Sequence, residues 1–232
     1  MRYPLYFDWT YILVLIGVVL SLWASSRVKS TFNKYSKVRT ISGVTGTQVA
    51  ESILRKSGIN DVSIQHVSGD LTDHYDPRTK TLRLSDSVYN ASSIAAAGVA
   101  AHECGHAIQH NKGYAPLAIR SAIVPVANFG SAISWPLIII GLMLGTSQIL
   151  INIGIILFST VVAFHLITLP VEFNASSRAL RILSDSGILH GEENEGAKKV
   201  LNAAALTYVA NAAAMILQLL RIILLSNSRR RN

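Results

Sequence analysis

The chain is poor in charge and nearly free of cysteine. Only 15% of its 232 residues are Asp, Glu, Lys or Arg, against about 25% in an ordinary soluble domain. With one cysteine, Cys104, no intrachain disulfide can form, so the fold does not rely on an oxidising compartment. Acids are scarcer than bases, 13 against 21, for a net charge of +8. Such an excess would suit nucleic acid if it formed a patch of its own. Here Lys and Arg cluster beside hydrophobic segments, where they act as topology signals, and no nucleic-acid partner is expected. Internal repeats and low-complexity linkers are absent as well. What the chain does have is apolar sequence: half its residues are hydrophobic and the mean hydropathy is +0.37. Several segments approach the ~20 apolar residues of a spanning helix. The expected class is a polytopic membrane protein with the lipid bilayer as its surroundings.

Residues 9–25 form the first span and, lacking a small-x-small cleavage site ahead of a soluble protein, read as a signal anchor. Residues 27–39 follow with five bases and no acid, which assigns them to the cytoplasm. "TGTQVAESILRKSG" is a capped amphipathic helix ending at Gly58. Residues 62–67 alternate as a strand does, and 71–85 resemble a hairpin turning at Asp76-Pro77. An alanine-rich helix covers 92–110, with Asn90 or Ser92 as its cap. Residues 121–144 and 147–170 form a two-span hairpin. Pro170 then starts a new amphipathic helix over 171–189. Residues 203–225, interrupted by Asn211 and Gln218, either cross as a weaker fourth span or pack obliquely. Of the 21 bases, 16 lie between Arg27 and Arg120 or between Arg178 and Lys199, so both regions face the same, cytoplasmic side. Four full crossings would put the terminal "RRRN" outside, against that tendency. The organisation is therefore an anchor (1–26), a cytoplasmic part (27–118), a transmembrane hairpin (119–170), a cytoplasmic helix (171–202) and a membrane helix with a basic tail (203–232).

The stretch "GVAAHECGHAIQH", residues 98–110, carries the chemistry. A spacing of four puts His102 and His106 one turn apart on one helix face. Two imidazoles so placed can share a tetrahedral zinc, with Glu103 beside the water that completes the site. Zinc lowers the pKa of such a water towards ~7, and Glu103 would take its proton and pass it to the leaving amine. The motif follows a strand and sits in an apolar stretch where an unpaired charge is costly. Two histidines need a third ligand. The metzincin pattern would require glycine and histidine where Gln109 and Lys112 stand. His110 is too far up the helix. Glu172, in the first turn after Pro170, is the better candidate, because the transmembrane hairpin would return it beside residues 92–110. Its alternative reading is a first-turn glutamate stabilising the helix dipole. One zinc per chain is expected, its identity resting on ligand type.

Other polar residues read more plainly. His165 lies inside the third span and is expected to be a neutral, hydrogen-bonded histidine. Cys104 points about 200° away from His102 into the packing. Gly98 and Gly105 admit a close neighbouring helix. Residues 79–85 are either an edge strand that pairs with substrate or an ordinary hairpin strand. Arg178 and Arg181 face lipid headgroups more readily than an oxyanion. Asp73, His74 and Asp76 are turn chemistry rather than a second metal site.

With "HECGH", the two-span hairpin, "PVEFNASSRAL" and the preceding "DHYDPRTKTLRLSDSVY", the chain resembles the YugP-type neutral zinc metallopeptidases of bacterial membranes. It is similar, more distantly, to integral membrane gluzincins of the HtpX and CAAX-prenyl-protease type. The resemblance covers about residues 40–225. It implies a mainly α integral membrane protein of three to four transmembrane helices, with a zincin-like core carrying a small β-hairpin or sheet. It also implies a multi-pass protein of the bacterial cytoplasmic membrane with a cytoplasm-facing site, in which His102, His106 and Glu172 bind zinc and Glu103 is catalytic. That wider group would have an acid two or four residues after the ligand glutamate, where this chain has Asn174 and Ser176. The leading expectation is a zinc endopeptidase acting on peptides or membrane proteins near the bilayer. The alternative is a non-catalytic scaffold or partner-binding protein stabilised by zinc. A transporter is disfavoured by the few spans and the single ionisable group, His165, in the hairpin. Glu103 separates the first two, since structural zinc has no use for a carboxylate that is not a ligand.

Overall fold

A computed structural model describes residues 8–144 and 147–229, with the side chains of 228 and 229 excepted. Residues 1–7, residues 145–146 of the hairpin turn, and Arg230, Arg231 and Asn232 of the basic tail lie outside it. The elements run α1 (Tyr11–Tyr35), α2 (Gly46–Lys56), β1 (Ser63–His66), β2 (His74–Asp76), β3 (Thr81–Leu84), α3 (Ile94–Asn111), α4 (Ala115–Met143), α5 (Gln148–Asp185) and α6 (Glu192–Arg229). Helices α1, α4, α5 and α6 are each long and apolar enough to cross a bilayer. This is a mainly α membrane protein with a small sheet, and the fourth apolar segment is part of a helix long enough to cross.

The helices are longer than hydropathy alone delimits. The expected break at Pro170 does not occur: α5 runs through it as a single helix of 38 residues. A proline costs a helix one backbone bond, here to the Leu166 carbonyl, and long buried or membrane helices absorb that loss. Glu172 therefore lies deep inside a helix, and the reading of it as a first-turn dipole partner falls. Likewise α5 ends at Asp185 and α6 begins at Glu192, so residues 192–202 belong to the helix that includes the fourth apolar segment. The cap of α3 is Ser93, whose hydroxyl accepts from Ala96 N–H at 3.1 Å, rather than Asn90 or Ser92. Helix α2 is as expected: Thr45 caps it and forms a reciprocal capping box with Gln48.

The chain divides into two compact units, with the divisions inside α1, α4, α5 and α6. One comprises residues 1–23, 120–167 and 208–232. Its helices meet through small residues: a Cβ on Gly17 would lie 3.2 Å from Ala214, and one on Gly130 would lie 2.6 Å from the Leu157 carbonyl. Such close approach is what holds helices together where lipid removes the hydrophobic drive. Ile138, Phe158, Val162 and Ile222 form its core, while Leu15, Leu22, Ile149 and Ile156 stay exposed, as lipid-facing residues do. Arg221 pairs with Asp8 at 3.3 Å and lies 4.1 Å over the Tyr11 ring.

The other unit comprises residues 24–119 and 168–207. Its sheet has the order β1-β3-β2, with β1 parallel and β2 antiparallel to β3. The hairpin turns after Asp76, whose carboxylate accepts from Arg78 N–H at 3.0 Å and Thr79 Oγ1 at 3.0 Å. Because β3 pairs on both sides, it cannot be the edge that receives a substrate strand; the open edges belong to β1 and β2. Leu82 and Leu84 of β3 are fully buried with Val49 and Ile53 of α2 and Ala96, Ala100 and Cys104 of α3. Full burial pushes the Cys104 thiol pKa well up, which makes it inert.

Candidate metal centre

Helix α3 is placed by contacts that only small residues allow. A Cβ on Gly105 would lie 2.6 Å from the Ala175 carbonyl oxygen of α5, and one on Gly98 would lie 3.4 Å from Ala197 of α6. Gly105 thus lets the α3 backbone reach the α5 turn that carries Glu172. His102 Nε2 and His106 Nε2 are 3.2 Å apart, and Glu172 Oε2 lies 3.3 Å from the first and 3.5 Å from the second. The side chains are 13%, 12% and 4% exposed respectively. Among the described residues this is the one group of three or more His, Cys, Asp or Glu side chains whose donor atoms converge. A tetrahedral zinc with bonds of about 2.0–2.1 Å holds its ligand atoms roughly 3.3 Å from one another. The three donor separations therefore fit such an ion, and the two-imidazole, one-carboxylate set suits zinc chemically.

The far nitrogens of both rings are occupied. His106 Nδ1 is 3.0 Å from Gln109 Oε1, and His102 Nδ1 is 3.1 Å from Ser176 Oγ. Gln109 is fully buried, and its amide orientation is dictated from behind: Nε2 donates to the Val171 carbonyl at 2.8 Å and to Asn174 Oδ1 at 3.0 Å. Asn174 is oriented in turn by Arg178, whose Nε can only donate and does so to Oδ1 at 2.7 Å. Gln109 therefore offers His106 an acceptor, Nδ1 keeps its proton, and Nε2 is the ring nitrogen turned towards His102 and Glu172. This is how outer partners fix ligand tautomers in metal sites. Asn174, which stands where the wider group would have an acid, acts one step back from the ligands through Gln109. Arg178, expected at lipid headgroups, also lies 5.8 Å over the Tyr114 ring. Gln109 and its chain were not identified from sequence. Its signal was present, since it sits three residues after His106 on the same helix face.

Burial opposes the charges here, but the partners prevail. Desolvation alone would raise the Glu172 carboxyl, yet the bonds to His102 and His106 hold it well below the usual carboxylate range. Burial would lower His106, yet its bond to Glu172 and the nearby charge of Glu103 raise it. Glu103 is itself buried, at 8% exposed. The remaining sequence candidates stay apart. His110 bonds Tyr75 Oη at 2.9 Å, and His165 is no part of the converging group. Asp73 accepts from Ser85 N–H at 2.7 Å and Ser85 Oγ at 2.9 Å, while His74 Nδ1 bonds the Thr72 carbonyl at 2.8 Å.

The structure thus joins four helices long enough to cross a membrane with a group of two histidines and one glutamate able to hold a metal ion. The chain belongs to the family described as "Putative neutral zinc metallopeptidase", whose profile matches residues 10–227. It is 51% identical over 213 residues to a Bacillus subtilis (strain 168) protein named "Putative membrane protease YugP", an alignment covering 92% of this chain and 94% of that one. No solved structure matches the chain.

Proposed function

We propose that the protein is an integral membrane zinc endopeptidase. Its ligands are His102, His106 and Glu172, one zinc is held per chain, and Glu103 is the general base. The observation that carries this reading is the convergence of two imidazole nitrogens of α3, the helix that also bears Glu103, and one carboxylate oxygen of α5 at the spacing of a tetrahedral zinc's ligands. Bound there, zinc supplies a Lewis acid that acidifies a water towards pKa ~7 and polarises the scissile carbonyl. The chain's residues do the rest. Glu172 balances the ion's charge from a buried position, and Gln109 and Ser176 hold the imidazoles in their ligating tautomer. Glu103 removes a proton from the attacking water and delivers it to the amine that leaves.

The distribution of Lys and Arg supports a site on the cytoplasmic side of the cytoplasmic membrane, with membrane proteins or peptides near the bilayer as substrates. The Glu103→Gln variant should keep about one zinc per chain by elemental analysis and lose cleavage of an unfolded reporter protein, whereas Glu172→Ala should lose the metal. Wild-type protein without zinc would overturn the ligand assignment. Zinc-loaded wild type without cleavage, or undiminished cleavage in Glu103→Gln, would favour the scaffold reading or another base.

A further inference from the structure

We propose that a groove between α1 and α6 binds the headgroup of an anionic phospholipid. The groove measures about 620 Å3 and is lined by Arg27, Thr31 and Lys34 of α1 and by Lys199, Asn202 and Leu206 of α6, among others. Its volume lies within the range of small-molecule sites. Three basic residues, Arg27, Lys34 and Lys199, line it and, among the described residues, no carboxylate does. The α6 acid closest in sequence to Lys199, Glu195, is engaged by Lys198 at 3.4 Å. Like charges gathered in this way repel one another unless an anion sits between them. The Thr31 hydroxyl and the Asn202 amide add neutral donors at the same place.

The composition of the two helices says which anion. On α1 the apolar run 9–25 ends two residues before Arg27. On α6 the apolar run resumes at Ala203, one residue after Asn202. Both helices thus change from polar to apolar at the level of the groove, which is the level of lipid headgroups. Basic pockets between helices at that depth, on the cytoplasmic side, suit a phosphodiester with an apolar tail. Leu206 provides an apolar wall towards that tail. The assignment does not depend on the peptidase reading, which concerns α3 and α5.

The test uses the full chain in detergent, titrated with phosphatidylglycerol or phosphatidylcholine and followed by native mass spectrometry. Wild type should retain phosphatidylglycerol selectively. A triple variant, Arg27→Gln, Lys34→Gln and Lys199→Gln, should lose about fivefold in affinity per cation removed and with it the selectivity. A control of equal charge loss elsewhere, Arg55→Gln, Arg78→Gln and Lys112→Gln, should retain both. Should the groove triple fail to fold, Lys34→Gln alone should still cost about fivefold. Unchanged selectivity in the groove variant, or equal loss in the control, overturns the proposal. Displacement of the lipid by millimolar inorganic phosphate would reassign the groove to a free anion and overturn the lipid assignment too.

Discussion

His106 can present only Nε2 to a metal, because Gln109 Oε1 accepts from Nδ1–H and the Gln109 amide is itself held by Val171 and by Asn174, which Arg178 holds in turn. Gln109→Leu should therefore weaken zinc about 10–100-fold, read by competition with a chromophoric chelator. Ser176→Ala should act similarly through His102, since its hydroxyl bonds His102 Nδ1. Unchanged zinc affinity in both variants would show that the outer partners do not position the ligands. The two shifted groups also predict a pH dependence of the metal-free chain. His106 has a raised pKa in the fold, so its contribution to stability is complete below its ordinary 6.5 and is lost as pH rises through the folded value. Glu172 has a lowered pKa, so its contribution is complete above its ordinary 4.5 and is lost as pH falls. Melting temperature with chelator should thus be favoured by the site between about pH 4.5 and 6.5, and Glu172→Gln should flatten that profile. The added stability from zinc should run the other way and grow with pH, because the imidazoles must shed protons to bind. A zinc increment that does not rise with pH would contradict the imidazole assignment.

At the scale of elements, α3 meets α5 through Gly105, where a Cβ would stand 2.6 Å from a backbone oxygen that cannot rotate away. Gly105→Ala should cost about 1–3 kcal/mol in thermal unfolding, and zinc content should fall with it as Glu172 is pushed off. Gly98→Ala meets only ordinary contact at 3.4 Å from Ala197 and gains up to about 1 kcal/mol of helix propensity, so it should be neutral or stabilising. Equal losses in the two variants would show that the glycines do not differ as the contacts require. These elements also mark how far sequence alone reached. Helix α2 was legible because its caps are local, and so was the β2–β3 hairpin with its Asp-Pro turn. The parallel β1–β3 pairing was not, since no local alternation specifies a partner 18 residues away. Nor was the continuation of α5 through Pro170, because a local rule stops a helix at proline while neighbouring helices can carry it through.

For the whole molecule, the bases predict sidedness. Cys104, the single cysteine, is fully buried, so an introduced cysteine reports alone. Asn60→Cys should resist a membrane-impermeant thiol reagent applied to intact cells and react once the cells are opened, whereas Met143→Cys, exposed at the end of α4, should react from outside. The reverse pattern would invert the topology and put the metal site outside. The sequence by itself determined what short-range chemistry determines: where apolar runs are long enough to span, which loops hold positive charge, and that His102 and His106 share a helix face one turn apart. Only the tertiary structure decided that Glu172 completes the group from the middle of a 38-residue helix, and that Gln109, Ser176 and Arg178 stand behind it. The bonds that tie α3 to α5 join residues more than sixty positions apart in the chain, and they exist because Gly105 lets two backbones approach more closely than any side chain would permit.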